Sequence, residues 1–223
     1  FYFYTKSNFI KEKSSFIKYS EDQKADSNRD YVLDRTEFLN NWSLENSILF
    51  IDGPLIGGNM TSYTVDSIEG LHGRKVIPIF FVKNSDSNLA TDNIKELRKK
   101  YNSDMHWSFN LLKPGQRTCL FLYTDEYNPK NAKIFCYLKL FELSPQRIEF
   151  HVSTYQIYEA HIGEIMNLIY YLLLVQGDKK NPQIRPIAIA EKYARAALST
   201  VDTYNLIKTS GLIPTMNQAR FGG

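Results

Sequence analysis

The sequence predicts an α/β or α+β fold, one domain built on a mixed sheet with helices packed against it. Three observations carry this. Runs rich in Ile, Val, Phe and Tyr alternate along the chain with stretches of helical period. Aromatic residues make up 14% of the chain, with 15 Tyr and 14 Phe, a composition that suits sheets. Apolar residues make up 43% of the 223 positions, enough for a sizeable core.

Taken in order, "FYFYT" at 1–5 and "FIKY" at 16–19 read as short aromatic strands, with a polar turn region between them. A charged loop, 20–30, leads into the helix "YVLDRTEFLNNW" at 31–42, with Asp30 as its N-cap. The run "SILFID" at 47–52 is a strand, followed by a loop and then a weaker helical or loop stretch through Glu69. "KVIPIFFVK" at 75–83 is a strand whose Pro78 points to an edge or a bulge. "TDNIKELRKK" at 91–100 is a short helix that ends basic, as the helix dipole favours.

Three strands follow: "RTCLFLYT", "AKIFCYLKLF" and "QRIEFHV". A hairpin-length "ELSP" joins the last two. A long helix over 155–175 is apolar all round in its C-terminal half and should be largely buried. Pro186 then opens a last helix that Gly211 stops, and 212–223 reads as an irregular tail. No repeat or low-complexity segment interrupts the order.

The bulk charge is a formal +3, which neither demands nor excludes nucleic acid without a local basic groove. Cys119 and Cys136 both lie in apolar runs and read as buried thiols in a reducing compartment. No signal peptide is visible, and the longest apolar run, around 165–175, is too short to span a bilayer. These features predict a cytoplasmic protein without a membrane partner. The chain opens at Phe1 inside a strand-like run, which suggests residues upstream.

Asp52 raises the functional question, because an apolar strand delivers a carboxylate where the chain turns. Alone, Asp-Gly at a strand end is ordinary turn chemistry. The other reading is a metal ligand at the end of a central strand. Glu37 lies on the preceding helix, one turn from Leu33, and can aim at that tip if the helix folds back on the sheet. Alone, it reads as a solvated helix glutamate. Two converging carboxylates would call for a divalent cation between them.

The ordered set "YVLDRTEFLNNWSLENSILFIDGPLIGG", "VIPIFFVKNS", "YLKLFELSPQRIEFHV" and "PIAIAEKYARAAL" resembles the NurA family of DNA-end-processing nucleases over roughly residues 30–210. The resemblance implies an RNase H-like fold, a mixed sheet flanked by helices with the site at strand ends, in a single NurA-like nuclease domain over 1–223. It implies Glu37 and Asp52 as catalytic metal ligands for Mn²⁺ or Mg²⁺. Lys83 becomes a phosphate contact, and Arg147 and Glu149 match the family's Arg-x-Glu pair, whose alternative reading is an exposed cross-strand ion pair. Lys83, Arg98, Lys99, Lys100, Arg147 and Arg185 are candidate DNA contacts, or else a solvated charged face. The implied partners are DNA, a second copy of the chain in a homodimer, and a HerA-type hexameric ATPase. The implied setting is DNA repair or antiviral defence.

The sequence departs from the family pattern in three places. The family's first aspartate, in a Val-Asp-Gly-Ser strand, has no counterpart between Phe1 and Tyr31; it is expected upstream of Phe1. Tyr193 stands where the late helix of the family carries histidine, and Arg185 where a tyrosine often precedes the proline. His151 and His161 fall elsewhere and read as packing or surface residues. A non-catalytic DNA-binding or adaptor subunit is therefore the alternative. No Gly-rich phosphate loop, Gly-x-Ser-x-Gly or metal-binding His pair points to a small-molecule enzyme.

Overall fold

A computed structural model of the chain describes residues 2–4, 9–12, 27–83, 87–124, 128–143, 145–177 and 182–198. The chain divides into two compact units, 1–185 and 186–223. In the first, a six-stranded mixed sheet is flanked by helices, an α/β arrangement of the RNase H-like kind. The described part of the second is helix α7 (Arg185–Leu198), which begins at the boundary and carries an Arg195–Glu191 ion pair at 3.0 Å.

Strands β1 (Tyr2–Tyr4) and β2 (Phe9–Glu12) form a separate antiparallel pair. The second of these lies within the segment that the sequence reads as a polar turn, while the expected strand at 16–19 lies outside the described residues. Helix α1 runs Ser27–Trp42, so Asp30 is inside it and does not cap it. Strand β3 (Ile48–Asp52) then enters the main sheet parallel to β4 (Ile77–Val82), and α2 (Thr61–Gly73) makes the crossover. That crossover is a full helix where the sequence suggests a weaker stretch.

The main sheet runs β3-β4-β8-β7-β5, with β6 also pairing β7. Here β5 is Gln116–Arg117, β6 is Phe121–Tyr123, β7 is Lys133–Lys139 and β8 is Gln146–His151. The expected strand over 117–124 is thus two short pieces on one edge. The β7–β8 hairpin is as the sequence predicts.

Pro78 is a correction. It lies in β4, between β3 and β8, and not on an edge strand. Its missing N–H is tolerated because β8 pairs only with Phe80–Val82. Ile77 donates its N–H to Ser47 O at 2.9 Å, so strand alternation turns Pro78's nitrogen to the side where β8 has not yet begun.

The expected helix over 91–100 contracts to α3 (Lys95–Arg98), and an unexpected helix, α4 (Asp104–Leu111), follows. Ser103 starts α4 by accepting the His106 N–H at 3.1 Å. The expected helix over 155–175 is broken. Helix α5 (Val152–Tyr158) passes through a 3-10 turn, Glu159–His161, into α6 (Ile162–Gln176). Ile162, Ile165, Met166, Ile169 and Leu173 form the buried stripe of α6, while Leu168, Tyr171, Leu174 and Val175 are exposed, so only part of it is buried. Among the described residues, no helix is long and apolar enough to cross a membrane.

Strand alternation gives the sheet two unlike faces. One is apolar, with Ile79, Phe81, Cys136, Leu138, Ile148 and Phe150 all buried. The other mixes core with charge: Ile51, Phe80, Phe135 and Tyr137 share it with Lys133, Arg147 and Glu149 by cross-strand register. Leu39 of α1 and Ile68 of α2 pack on Ile51 and Phe80, and Trp107 of α4 packs on Phe135 and Tyr137.

Asp104 is the anchor of that last cluster. It is fully buried and accepts from the Ala90 N–H at 2.9 Å, from Thr91 N and Oγ1 at 2.6 Å each, from Trp107 Nε1 at 3.1 Å and from the Tyr137 hydroxyl at 2.7 Å. Burial alone would raise the pKa of Asp104. The donations from Thr91, Ala90 and Tyr137 outweigh burial and hold it below the ordinary value. Cys136 is buried as expected and its thiol is pushed up to about 12 by burial, but Cys119 is exposed, a correction to the sequence reading.

A depressed folded-state pKa adds stability that is present above the unfolded value of about 3.9 and lost as pH falls through the folded one. Asp104→Asn is therefore expected to cost about 3 kcal/mol at pH 7 and to flatten the loss of stability between about pH 5 and pH 2. Urea midpoints across that range check it; an unchanged acid limb would refute the role of Asp104.

Candidate functional site

The site begins with two parallel strands that end side by side. Asp52 is the last residue of β3, in register with Phe81 of β4, and Lys83 follows two residues on. Lys83 Nζ lies 3.4 Å from Asp52 Oδ2, with the Asp52 side chain 51% exposed and that of Lys83 22%. Alternation sends both side chains to the same side of the sheet. Gly53 then turns the chain with φ of 99°, a conformation that a residue with a Cβ rarely adopts, while its N–H holds Phe81 O at 2.8 Å. An apolar strand thus delivers a solvent-facing carboxylate next to an ammonium.

The loop beyond is fixed from inside the protein. Leu55 N–H donates to Glu149 Oε2 at 2.8 Å, across the sheet. Glu149 is fully buried, and its other oxygen lies 2.7 Å from Arg147 Nε and 3.1 Å from Lys133 Nζ. Arg147 in turn donates to Ser87 Oγ at 2.5 Å, in the segment that follows Lys83. From the helix side, Arg35 Nη2 donates to the Asp52 carbonyl at 3.4 Å. Burial pushes the Arg35 guanidinium below its ordinary pKa, and Tyr31 and Asp52 offset part of that.

The sequence-predicted residues divide. Asp52 and Lys83 are together. Glu37 is exposed on α1, and no hydrogen bond or ion pair joins it to Asp52 among the described residues. The periodicity explains why. Val32, Arg35, Thr36 and Leu39 line a small cavity with Ile51 and Phe80, and Glu37 projects roughly 150° round the helix from that face at 100° per residue. Asp52 also leaves the sheet on the side opposite Ile51, away from α1.

Arg147 is only 3% exposed, and its guanidinium is engaged by Glu149 and Ser87. It is thus an internal cation, neither a surface DNA contact nor half of an exposed pair. Arg98, Lys99, Lys100 and Arg185 are exposed. His151 is buried between Lys130 O and Ser153, and burial lowers its pKa, while His161 is a surface residue beside Glu164. Tyr193 is exposed on α7.

Sequence reasoning missed Arg35 as a brace and the burial of Glu149. For Arg35 the available signal was its spacing from Val32 and Leu39, which puts it on the packed face.

Among the described residues, no group of three or more His, Cys, Asp or Glu side chains is placed to hold a metal ion. The donor set is one half-exposed carboxylate. That does not make a closed cation cage, but it fits the open mode in which Mg²⁺ keeps waters and binds one or two carboxylates plus substrate phosphates.

A family model described as NurA domain matches residues 3–196, most of the chain. No curated protein and no solved structure matches it.

The two ion pairs should differ sharply in energetic weight. Lys83→Met is expected to stay within about 1 kcal/mol of the wild-type folding free energy, because the pair is partly solvated. Glu149→Ala should cost about 3–5 kcal/mol, because two buried cations lose their counter-charge. Urea denaturation of both variants tests the contrast, and equal losses would contradict it.

Proposed function

The chain belongs to the NurA family, a family of nucleases, and from that premise we propose that it is a DNA nuclease that hydrolyses phosphodiester bonds at the Asp52–Lys83 end of the sheet. The observation that carries the reading is that pair, at the shared carboxyl end of two parallel strands. Open α/β sheets bind ligands outside the carboxyl ends of their strands.

Mn²⁺ or Mg²⁺ is the proposed cofactor, with Asp52 as its protein ligand; Glu37 would contribute only by reaching round from the exposed side of α1. When bound, such an ion would polarise the phosphate and acidify its coordinated water. The chain's own groups do the rest. Lys83 neutralises a non-bridging phosphate oxygen as the scissile group arrives, and in doing so releases Asp52 from its ion pair. Arg35 braces the Asp52 carbonyl and so limits movement of the strand tip. The exposed cations Arg98, Lys99, Lys100 and Arg185 are proposed contacts along the DNA backbone.

The proposal extends to a homodimer working with a HerA-type hexameric ATPase, in DNA end processing or antiviral defence in the cytoplasm. The resemblance of the ordered motifs supports that extension. The second reading is a non-catalytic DNA-binding or adaptor subunit. It is favoured by the lack of a multi-carboxylate cluster among the described residues and by Tyr193 standing in place of histidine.

Asp52→Asn keeps the shape and removes the charge. It is expected to lower Mn²⁺- or Mg²⁺-dependent cleavage of linear DNA at least a hundredfold, with DNA affinity changed less than about twofold, since affinity rests on the cations. EDTA should stop the wild type. Wild-type-like cleavage by Asp52→Asn would reject the site, and DNA binding without cleavage by a protein that carries the expected upstream aspartate would establish the adaptor reading.

A further inference from the structure

We infer that Glu149 and Arg147 are positioning residues that hold the tips of β3 and β4 in register with each other, so that Asp52 and Lys83 meet. The catalytic part of this inference rests on the nuclease reading; the mechanical part does not.

Three facts carry it. Glu149 reaches the segment after Asp52, through the Leu55 N–H at 2.8 Å. Arg147 reaches the segment after Lys83, through Ser87 Oγ at 2.5 Å. The two are joined to each other at 2.7 Å, and both are buried on the adjacent strand β8. Leu55, beyond Asp52, and Ser87, beyond Lys83, are therefore tied to one internal pair of charges.

A carboxylate and a guanidinium are buried there, and the guanidinium also meets the Tyr137 hydroxyl of β7. Inside β8, an apolar residue at either position would pack at lower desolvation cost. Side chains of this kind reach past strand pairing, because the last main-chain bond between the two tips runs from the Gly53 N–H to Phe81 O, before Leu55 and Ser87 are reached. Lys133 completes the balance: it sits 3.1 Å from the Glu149 oxygen that Arg147 also contacts, which leaves the second oxygen to Leu55. The Lys133 ammonium donating to one oxygen and the Leu55 N–H to the other fix the orientation of the carboxylate, while Arg147 adds its charge alongside.

The test uses Glu149→Gln, Ser87→Ala and Ser87→Thr in the full chain. Amide hydrogen exchange is read at Gly53, Leu55 and Ser87, with the β7 amides as the internal control, beside kcat and KM for DNA cleavage. Glu149→Gln is expected to speed exchange at Leu55 about tenfold, because its N–H then meets a neutral amide oxygen in place of a carboxylate, while the β7 amides stay unchanged. Its kcat should fall at least tenfold with KM within about twofold, since the DNA-binding cations are untouched. Ser87→Ala should speed exchange at Ser87 and lower kcat in the same sense, and Ser87→Thr, which keeps the hydroxyl, should restore both.

Unchanged exchange at Leu55 and Ser87 would overturn the inference. So would equal acceleration in β7, which would make the pair a general stabiliser. If Glu149→Gln does not fold, the Ser87 pair of variants decides by the same readouts. If wild type cleaves and Asp52→Asn cleaves equally well, the nuclease site is what fails, and the exchange arm still decides whether the tips are tied.

Discussion

A fully buried carboxylate governs this structure. Glu149 sits in the middle of the sheet with no access to water, so its charge must be met by the protein. Arg147 and Lys133 meet it from β8 and β7, and the Leu55 amide meets it from the loop beyond β3. These contacts join the β7–β8 hairpin to a loop 94 residues before Glu149. The sheet face that carries them cannot be a simple apolar layer. It is split into an apolar patch under α1 and α2, a charged centre, and an aromatic patch under α4. Asp104 repeats the logic at the far side, where several donors compensate one buried charge.

The contrast with the opposite sheet face is instructive. There Ile79, Phe81, Ile148 and Phe150 need nothing but contact, and burial alone accounts for them. The charged face gives up some of that simplicity and gains direction, because hydrogen bonds and ion pairs fix angles where apolar contact does not. Asp52 and Lys83 stand at the edge of this division, on the apolar side but tied to the charged one through the segments that follow them.

Much of the fold was legible in the sequence, and the misses have physical reasons. The β3, β4, β7 and β8 runs are rich in β-branched and aromatic residues and bounded by turn formers, so they were read with nearly the observed limits. Pro78 misled because the edge rule holds residue by residue and not strand by strand; a central strand can have a locally unpaired side. Helix α4 was invisible because Ser103 and His106 form its cap without any apolar period of useful length. The break of the long helix at Glu159–His161 left no mark in composition. The neighbouring positions of Asp52, which ends β3, and Lys83, which follows β4, are legible from those two strands. Glu37 was placed by its spacing from Leu33, yet the packed face is the one bearing Val32, Arg35 and Leu39. Arg147 reads as a surface cation because sequence alone does not reveal that the residue two places on is a buried acid.

The two thiols have a practical side. Cys136 lies inside β7 with its ionisation suppressed by burial, so it is a poor nucleophile in the folded chain. Cys119 lies exposed between the short edge strands β5 and β6. Since these are the only cysteines among the 223 residues, this folded chain presents a thiol reagent with a single address. A dye or spin label placed there would sit on the sheet edge opposite β3, able to report on that edge without any engineered residue.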